Sequence, residues 1–368
     1  MNTSSLHKNL DNVFKSHIGN LNDVLDKLKE DDSARAMAPG FKLEEVLSKI
    51  GKTKITHFKG SEDSPETVCC FEVVIVRCNK TGDGIQTAPL PKPEDCNQML
   101  AGAEGRIIVL VSLFYGIPKE SGVTLRKALK KVCLSVVSGL HELLQRIMSD
   151  RYQSSQELLS STGSVWAACE RLEAAPKDNK EAVLAEIQAD MDLVKDALEE
   201  LAEAQNSDGE GMDDFMDDLE AAISGDEPNP FQAPRRGRTD REKAVLIPVS
   251  GLTKACKNCL KKCRGAVKVN GRITSAEEIG QLDKIVEASS KISPHLDELV
   301  SGVYPPVGMA SLQTNAIQLT EVMHDVLDKT QGSHVCSEGD LQWIHFLHKA
   351  INHNLEQLQN ITKQQVGG

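Results

Sequence analysis

Apolar residues recur every three or four positions along most of this 368-residue chain, which is the spacing of one buried face on an α-helix. Before residue 206 the pattern predicts helices over 6–28, 41–50, 98–114, 125–147, 165–174 and 184–201. After residue 243 it predicts helices over 249–270, 276–302, 307–330 and 340–362. Such helices bury their apolar faces against one another, so we expect an all-α protein of two helical bundles joined by an acidic linker.

One stretch interrupts the helical pattern. Residues 69–84, CCFEVVIVRCNKTGDG, form a β-branched run that a Gly-Asp-Gly turn signal closes, and read alone they predict a strand. No second strand pattern lies nearby, and a lone strand would leave both of its edges unpaired. Two interpretations stay open for the surrounding segment, 52–88: a structural element, or an atypical insertion outside the packed core.

Charge is concentrated in one segment. The net charge is −12, and the stretch from Asp196 to Pro234 holds thirteen acidic residues and no Lys or Arg, so the remainder sums to +1. A near-neutral body gives no electrostatic reason to expect direct nucleic-acid binding, which needs clustered cations. The composition shift also marks the domains. We predict an N-terminal bundle over 1–205, a disordered acidic linker over 206–243, a C-terminal bundle over 244–362 and a tail over 363–368.

Two apolar patterns are candidates for partner binding. The first is a heptad seam made by Leu184, Ile187, Met191, Val194, Leu198 and Leu201. It lasts fewer than three heptads, so it is typical both of a helix that packs within its own bundle and of a short zipper with a partner. The second lies in the linker, where DDFMDDLEAAI places Phe215, Met216 and Leu219 on one side of a short helix. Docking of this segment on a partner's groove and a solvated acidic spacer both remain open.

Motifs for catalysis or cofactor binding do not occur in the sequence. It contains no Gly-rich phosphate loop, nucleophile elbow, kinase signature or His-Glu-x-x-His metal motif, so we expect a non-enzymatic protein without a cofactor. His345 and His348 are three residues apart, but two ligands supply only half of a tetrahedral shell. We therefore expect no metal at this histidine pair.

A cysteine cluster, ACKNCLKKCRG, contains Cys256, Cys259 and Cys263. The three thiols continue the apolar steps that begin at Val249, which indicates core packing. A structural zinc site would need a fourth ligand, and a redox pair would need a helix N-terminus to lower a thiol's pKa. The sequence supplies neither, so we predict that these thiols lie on the buried face of a helix.

The sequence also bears on location. No secretion signal opens the chain and no run of about 18 apolar residues is evident, so we expect no membrane partner and a protein of the cytoplasm and nucleus. PRRGR, at 234–238, fits a weak nuclear-import signal and equally the basic end of the linker.

Strings from many of the predicted elements resemble the cyclin-D-binding protein family, also called GCIP. They are SGVTLRKALKKV (121–132), SVWAACERL (164–172), PKDNKEA (176–182), LVKDALEE (193–200), LTKACKNCLKKC (252–263) and LDKIVEASSKISPHLDELVSGVYPP (282–306). The resemblance extends over roughly residues 94–362, with the elements in the family's order. The segment 52–88 departs from the family, whose members continue a long helix at that point.

The resemblance implies a non-enzymatic protein that binds D-type cyclins, Src-homology adaptor proteins and helix-loop-helix transcription regulators. It also implies negative regulation of cell-cycle progression and of transcription, the latter by dimerisation without a DNA-binding basic region. The four basic residues in the first turns of the helix over 125–147 are too few, and on a core helix, to form such a region; they are Arg126, Lys127, Lys130 and Lys131. Helical bundles with amphipathic seams also resemble vinculin and catenin modules, so a cytoskeletal adaptor is the alternative function.

Overall fold

The computed structural model describes residues 3–30, 41–52, 92–149, 155–206 and 239–363. Within these ranges the regular structure is helical and no β-strand occurs, which confirms the all-α prediction. The chain separates into two compact units, Met1–Asn179 and Lys180–Gly368. The predicted strand at 69–84, most of the atypical insertion at 52–88 and most of the acidic linker lie outside the described residues.

The first unit is built around a long central helix. Its helices are α1 (Thr3–Lys29), α2 (Leu43–Lys52), α3 (Pro93–Tyr115), α4 (Val123–Ser149) and α5 (Ser155–Glu173). Helix α4 packs against α1 and α5, and α3 packs against α1. The apolar stripe predicted over 125–147 faces this core, since Leu125, Leu129 and Val136 are at most 1% exposed.

An interlocked pair of residues marks the start of α4. Gly122 has a φ of +115°, a backbone conformation that L side chains rarely adopt, and Asn179 packs directly over its Cα. The Oδ1 atom of Asn179 accepts a hydrogen bond of 3.0 Å from the buried backbone N–H of Leu125. A side chain 54 residues away serves as an acceptor that the local sequence does not reveal.

Helix α3 has a composition that the sequence pattern did not single out. It is the helix, among the residues that the structure describes, whose length and hydropathy would allow it to cross a membrane. Core helices of helical bundles have the same composition. In the first unit α3 buries one face, including Leu100, Ile107 and Phe114.

The second unit contains α6 (Asn179–Asn206), whose residues from Lys180 onward belong to it, together with the C-terminal helices. These are α7 (Asp240–Asn270), α8 (Ala276–Ser289), α9 (Ile292–Ser301), α10 (Met309–Gln331) and α11 (Asp340–Lys363). Helix α10 contacts each of α7, α8, α9 and α11, and α7 packs along α11. One continuous apolar core draws side chains from all six helices.

Helices α7 and α11 run antiparallel and approach closely. At one end the Arg241 guanidinium donates to the carbonyl oxygens of Ile361 and Thr362, which satisfies groups left open at the end of α11. Further along, a Cβ placed on Gly251 would meet Asn354 Oδ1 at 1.9 Å, so this crossing needs a glycine. One of these contacts, that of Arg241, comes from a residue that precedes the predicted start of the helix at 249.

The beginning of α7 differs from the prediction. Thr239 and Glu242 form a capping box, in which each side chain bonds the other residue's backbone N–H, and the helix then passes through Pro248. Residues 240–243, assigned from composition to the linker, are the first turn of this helix. The string PRRGRTDREK was assigned to the linker because of its basic composition, so the Thr-x-x-Glu capping motif within it was not recognised.

The helix predicted over 276–302 is divided in two. Helix α8 ends at Ser289, Ser290 and Lys291 form a turn, and α9 begins at Ile292. The turn has a physical cause in Pro294, which lacks the N–H that would bond the carbonyl of Ser290 and whose ring crowds that carbonyl. A proline signal in the sequence could have located this break.

Candidate functional site

The predicted heptad seam lies on α6, and the structure turns it toward the core of the second unit. Ile187, Val194 and Leu201, spaced seven apart, are at most 1% exposed. Leu184, Met191 and Leu198, also spaced seven apart, are half-buried at the margin of the contact. We call these last three the rim row.

The buried face of α6 is rotated from the predicted seam. Val183 and Ala197 are buried beside Ile187 and Val194, although neither belonged to the predicted seam. At 100° per residue their inclusion moves the centre of the buried face by roughly 50° away from the rim row. The burial agrees with packing inside the chain's own bundle, which was one of the two interpretations of the seam.

The residue between Val183 and Ala197 in the heptad frame is Asp190, a carboxylate that faces inward. Ser289 on α8 donates a hydrogen bond of 3.0 Å from its Oγ to Asp190 Oδ2. Burial raises the pKa of Asp190 to about 6, the Ser289 hydrogen bond opposes the rise, and nearby Glu186 adds to it. A second hydrogen bond lies nearer the end of α6, where the Tyr304 hydroxyl donates to Glu200 Oε1 at 2.8 Å.

The candidate partner-binding residues of α6 thus divide into a buried row and a partly exposed row. Ile187, Val194 and Leu201 lie in the interior, whereas the rim row keeps part of its surface in solvent. Phe215, Met216 and Leu219 lie outside the described residues. The rim row therefore remains the part of the seam that a partner can reach.

The cysteine cluster lies in the core of the second unit. Cys256, Cys259 and Cys263 are all 0% exposed, which confirms the prediction that they line the buried face of a helix. Cys256 Sγ lies 3.3 Å from Met323 Sδ, and burial raises the pKa of its thiol. The pKa of Cys259 is raised by its hydrogen bond with Cys263 and by burial. The pKa of Cys263 is lowered, chiefly by its hydrogen bond with Cys259 and also by the one with Thr330, while burial opposes the shift. The unreactive thiol form is therefore favoured at Cys256 and Cys259.

A histidine pair joins α10 to α11. His324 Nδ1 and His348 Nδ1 are 2.6 Å apart, with the ring planes 13° from parallel and the ring centroids 4.8 Å apart. That centroid distance is close to the nitrogen separation plus two ring radii. The two nitrogens therefore point at each other within the ring planes and share one hydrogen, so one donates and the other accepts.

The partners of this histidine pair differ from the sequence-based grouping of His345 with His348. Burial lowers the pKa of His348, the neighbouring rings of His324 and His345 lower it further, and the carboxylate of Asp328, 3.5 Å from His348 Nε2, opposes the shift. Among the described ranges no group of three His, Cys, Asp or Glu side chains is arranged to hold a metal ion.

The basic residues at the start of α4 are partly used for packing within the first unit. Arg126 is only 3% exposed and its guanidinium lies 5.1 Å over the ring of Phe114, a cation–π contact inside the first unit. Lys127 and Lys131 are exposed and Lys130 is half-buried. A helix whose first arginine is used for packing is not arranged like a DNA-binding basic region.

The thiols and the apolar stripes of the helices are buried, so the chain is a helical-bundle protein of two units. The candidates for partner binding that remain accessible lie on helix surfaces. The family comparison refines this class. The model of the GCIP N-terminal domain, described as Grap2 and cyclin-D-interacting, matches residues 76–207, and the model of the GCIP C-terminal domain, with the same description, matches residues 217–328. The chain belongs to this family, which confirms the resemblance inferred from its strings.

Individual relatives support the same assignment. The chain is 38% identical over 276 residues to the cyclin-D1-binding protein 1 homolog of Xenopus laevis, an alignment that covers 75% of this chain and 81% of the relative. It is 39% identical over 281 residues to the homolog of Danio rerio, with 75% and 79% covered. It is 30% identical over 285 residues to human cyclin-D1-binding protein 1, with 76% and 78% covered.

Proposed function

We propose that this chain is a non-enzymatic regulatory protein that binds a D-type cyclin. The observation that carries the proposal is the family match over both units, together with relatives that are named for cyclin-D1 binding and are covered over about four fifths of their length. The burial of the cysteine cluster and of the α6 seam is consistent with a role exercised through surfaces.

The direct test is binding of the purified full-length chain to purified D-type cyclin, measured by calorimetry, with an A-type cyclin as the matched control. We expect saturable binding to the D-type cyclin at least tenfold tighter than to the control. Equal affinity for both cyclins, or no binding to either, would contradict the proposal. Cosedimentation with actin filaments in place of cyclin binding would favour the alternative, a vinculin-like or catenin-like adaptor.

Binding to helix-loop-helix regulators is a second part of the proposal, and the rim row of α6 is its proposed contact. Leu184, Met191 and Leu198 form a half-exposed apolar line at heptad spacing, the arrangement that a partner helix uses in a zipper. Met191→Glu should weaken capture of such a partner while costing about 1 to 2 kcal/mol of stability, so that the unit stays folded. Exposed Leu193→Glu on the same helix is the matched control. Equal loss of capture in both variants would argue against a contact through the rim row.

Negative regulation of cell-cycle progression and of transcription completes the proposal. A chain that occupies a D-type cyclin would lower phosphorylation of the retinoblastoma protein by the cyclin-dependent kinase, and Src-homology adaptor proteins are further proposed partners. Adding the full-length chain to a reconstituted kinase reaction should reduce the rate in proportion to the cyclin bound. The proposed location, cytoplasm and nucleus, is tested by imaging the tagged chain with and without the PRRGR string.

A further inference from the structure

An open groove of about 470 Å³ runs between α7 and the start of α11 in the second unit. Its lining includes Lys261, Lys262, Gly265 and Val269 from α7 and Asp340 and Trp343 from α11. Val269 is 80% exposed, and Phe346, which follows Trp343 by about one turn of α11, is 67% exposed. Large apolar side chains therefore border a groove that the fold of this unit leaves open.

The surface around this groove is basic. From Lys243 to Ala276 the sequence has eight Lys or Arg and no Asp or Glu. All six lysines on α7 are exposed, and five of them lie from residue 254 onward: Lys254, Lys257, Lys261, Lys262 and Lys268. The carboxylate in the lining, that of Asp340, accepts hydrogen bonds from the backbone N–H of Ser337 at 2.8 Å and from Trp343 Nε1 at 2.7 Å. Burial opposes ionisation of Asp340, but these hydrogen bonds and the nearby Lys262 lower its pKa, so the carboxylate keeps its negative charge. The lining therefore holds two lysines against one carboxylate, with further exposed lysines along α7, and the balance is positive.

Gly265 gives the groove its shape. It lies in the interior of α7, where glycine stabilises a helix less than alanine does. A Cβ at this position would meet nothing within 4 Å, so packing within the chain does not require the glycine. Gly19 and Gly163 are equally open in their helices, but at Gly265 the open space coincides with lysines and exposed apolar side chains.

We propose that this groove is a docking site for an acidic helical segment of another protein, one that carries large apolar side chains on one face. The apolar side chains would enter beside Gly265 and contact Val269 and Trp343, while the acids would pair with Lys261 and its neighbours on α7. A nucleic acid fits less well, because the lining contains the carboxylate of Asp340 and the whole chain carries −12. The proposal does not rest on binding of a cyclin.

The test uses the full-length chain and a synthetic fluorescent peptide of about 16 residues, with Glu and Asp on one helical face and Leu and Phe on the other. We expect a dissociation constant on the order of 10 µM at low salt, weakening as salt screens the lysines. Replacing the acids by Gln and Asn, or the apolar residues by Ser, should weaken binding at least tenfold in each case. In the Trp166→Phe background, the emission of Trp343 should shift on binding.

Gly265→Leu distinguishes docking from a structural effect. A Cβ at this position meets no atom within 4 Å and the leucine side chain would extend into the groove, so the melting temperature should stay equal or rise while peptide binding falls at least tenfold. Gly163→Leu, an equally open helical glycine in the first unit, is the matched control and should leave binding unchanged. Lys261→Glu with Lys262→Glu should abolish binding of the acidic peptide without unfolding the chain.

Four results would overturn the proposal. Unchanged affinity in the Gly265→Leu variant would place the peptide elsewhere, and equal binding of the acid-free peptide would remove the charge complementarity. A DNA duplex that binds more tightly than the peptide, in a way that Gly265→Leu blocks, would assign the groove to nucleic acid. Finally, neutralising the chain's own acids over 208–227 should not change affinity. A tenfold gain would show that the chain's own acidic segment, and not another protein, occupies the groove.

Discussion

Asp190 shows at the level of a single residue how α6 is held to the second unit. Its carboxyl group faces inward beside apolar neighbours and accepts one hydrogen bond from Ser289. Because burial raises its pKa to about 6, the charged form is disfavoured in the folded state. The folded state therefore binds more protons than the unfolded state between about pH 4 and pH 6, and the stability contributed by Asp190 falls as the pH rises through that window.

We expect Asp190→Asn to stabilise the protein at neutral pH. A shift of about two pKa units is worth roughly 3 kcal/mol for a fully buried group, and the partial exposure of Asp190 reduces the expected gain to about 1 kcal/mol. The gain should shrink toward zero at pH 4, where the native carboxyl is already protonated. Urea denaturation of both proteins across pH 4 to 8 measures it, and a gain that does not depend on pH would refute the explanation.

The wild-type protein must be compared with the variant at each pH, because the stability contributed by His348 changes with pH in the opposite direction to that contributed by Asp190. Its lowered pKa means that the folded state disfavours the charged ring, so stability contributed by His348 is present above about pH 6.5 and is lost as the pH falls. This acid-dependent loss occurs in both proteins and cancels in the difference.

Gly122→Ala should destabilise the first unit by about 3 kcal/mol. A side chain at positive φ costs roughly 1–3 kcal/mol, and displacing Asn179 leaves the buried N–H of Leu125 without its acceptor. Thermal unfolding measures the loss. If the clash with Asn179 causes it, the double variant with Asn179→Ala should lose less than the sum of the two single losses. Strict additivity would mean that the two residues act independently.

At this scale the sequence identifies which positions are apolar but not which polar residues turn inward. Asp190 occupies a core-facing heptad position, yet its residue type excluded it from the predicted seam, and the seam was placed roughly 50° from the true buried face as a result. The contact between Asn179 and Leu125 joins residues that are distant in sequence. Neither feature has a local signal.

Among the elements, α6 provides the sharpest comparison between a core position and a rim position. Val194→Asp places a charge where the side chain is 0% exposed and should cost more than about 4 kcal/mol, enough to unfold the second unit or leave it poorly folded. Leu198→Asp, at the half-buried rim, should cost about 1 to 2 kcal/mol and leave the unit folded. Circular dichroism with urea denaturation separates the two. Similar losses would show that the rim row is packed as deeply as the core row.

Element boundaries show where sequence reasoning succeeds and fails. The long periodic helices α1, α4, α10 and α11 match their predicted ranges to within a few residues, because a stripe repeated over several turns is a strong signal. The break between α8 and α9 and the early start of α7 were missed. Both depend on a single residue, Pro294 or Thr239, whose local effect outweighs the apolar pattern around it.

At the scale of the whole molecule, α6 moves the boundary between the units. Composition placed the boundary at the acidic linker, whereas the compact units divide at Asn179, and α6 contributes Ile187, Val194 and Leu201 to the second core. Hydropathy cannot assign a helix to one of two cores, because each accepts the same apolar stripe. The linker therefore lies between two helices of one unit.

A fragment of residues 180–368 should consequently be more stable than one of residues 239–368. The shorter fragment lacks the side chains of α6 and exposes the core surface that they cover, each worth roughly 1.5–3 kcal/mol. We expect its melting temperature to be lower by at least about 10 °C. Scanning calorimetry measures the difference, with the fragment 1–178 as an unrelated reference. Equal melting temperatures would show that α6 does not stabilise the second unit.

The buried thiols can report local opening of each unit without any added probe site. Cys96 and Cys133 are buried in the first unit, and Cys256, Cys259 and Cys263 are buried in the second. An alkylating reagent can reach each of them only while the surrounding helices are transiently apart. Mass spectrometry of the labelled peptides would therefore give a separate opening equilibrium for each unit in the unmodified chain. The same protected sulfur atoms become oxidisable whenever a unit opens, so the lifetime of the reduced protein would follow how rarely it opens.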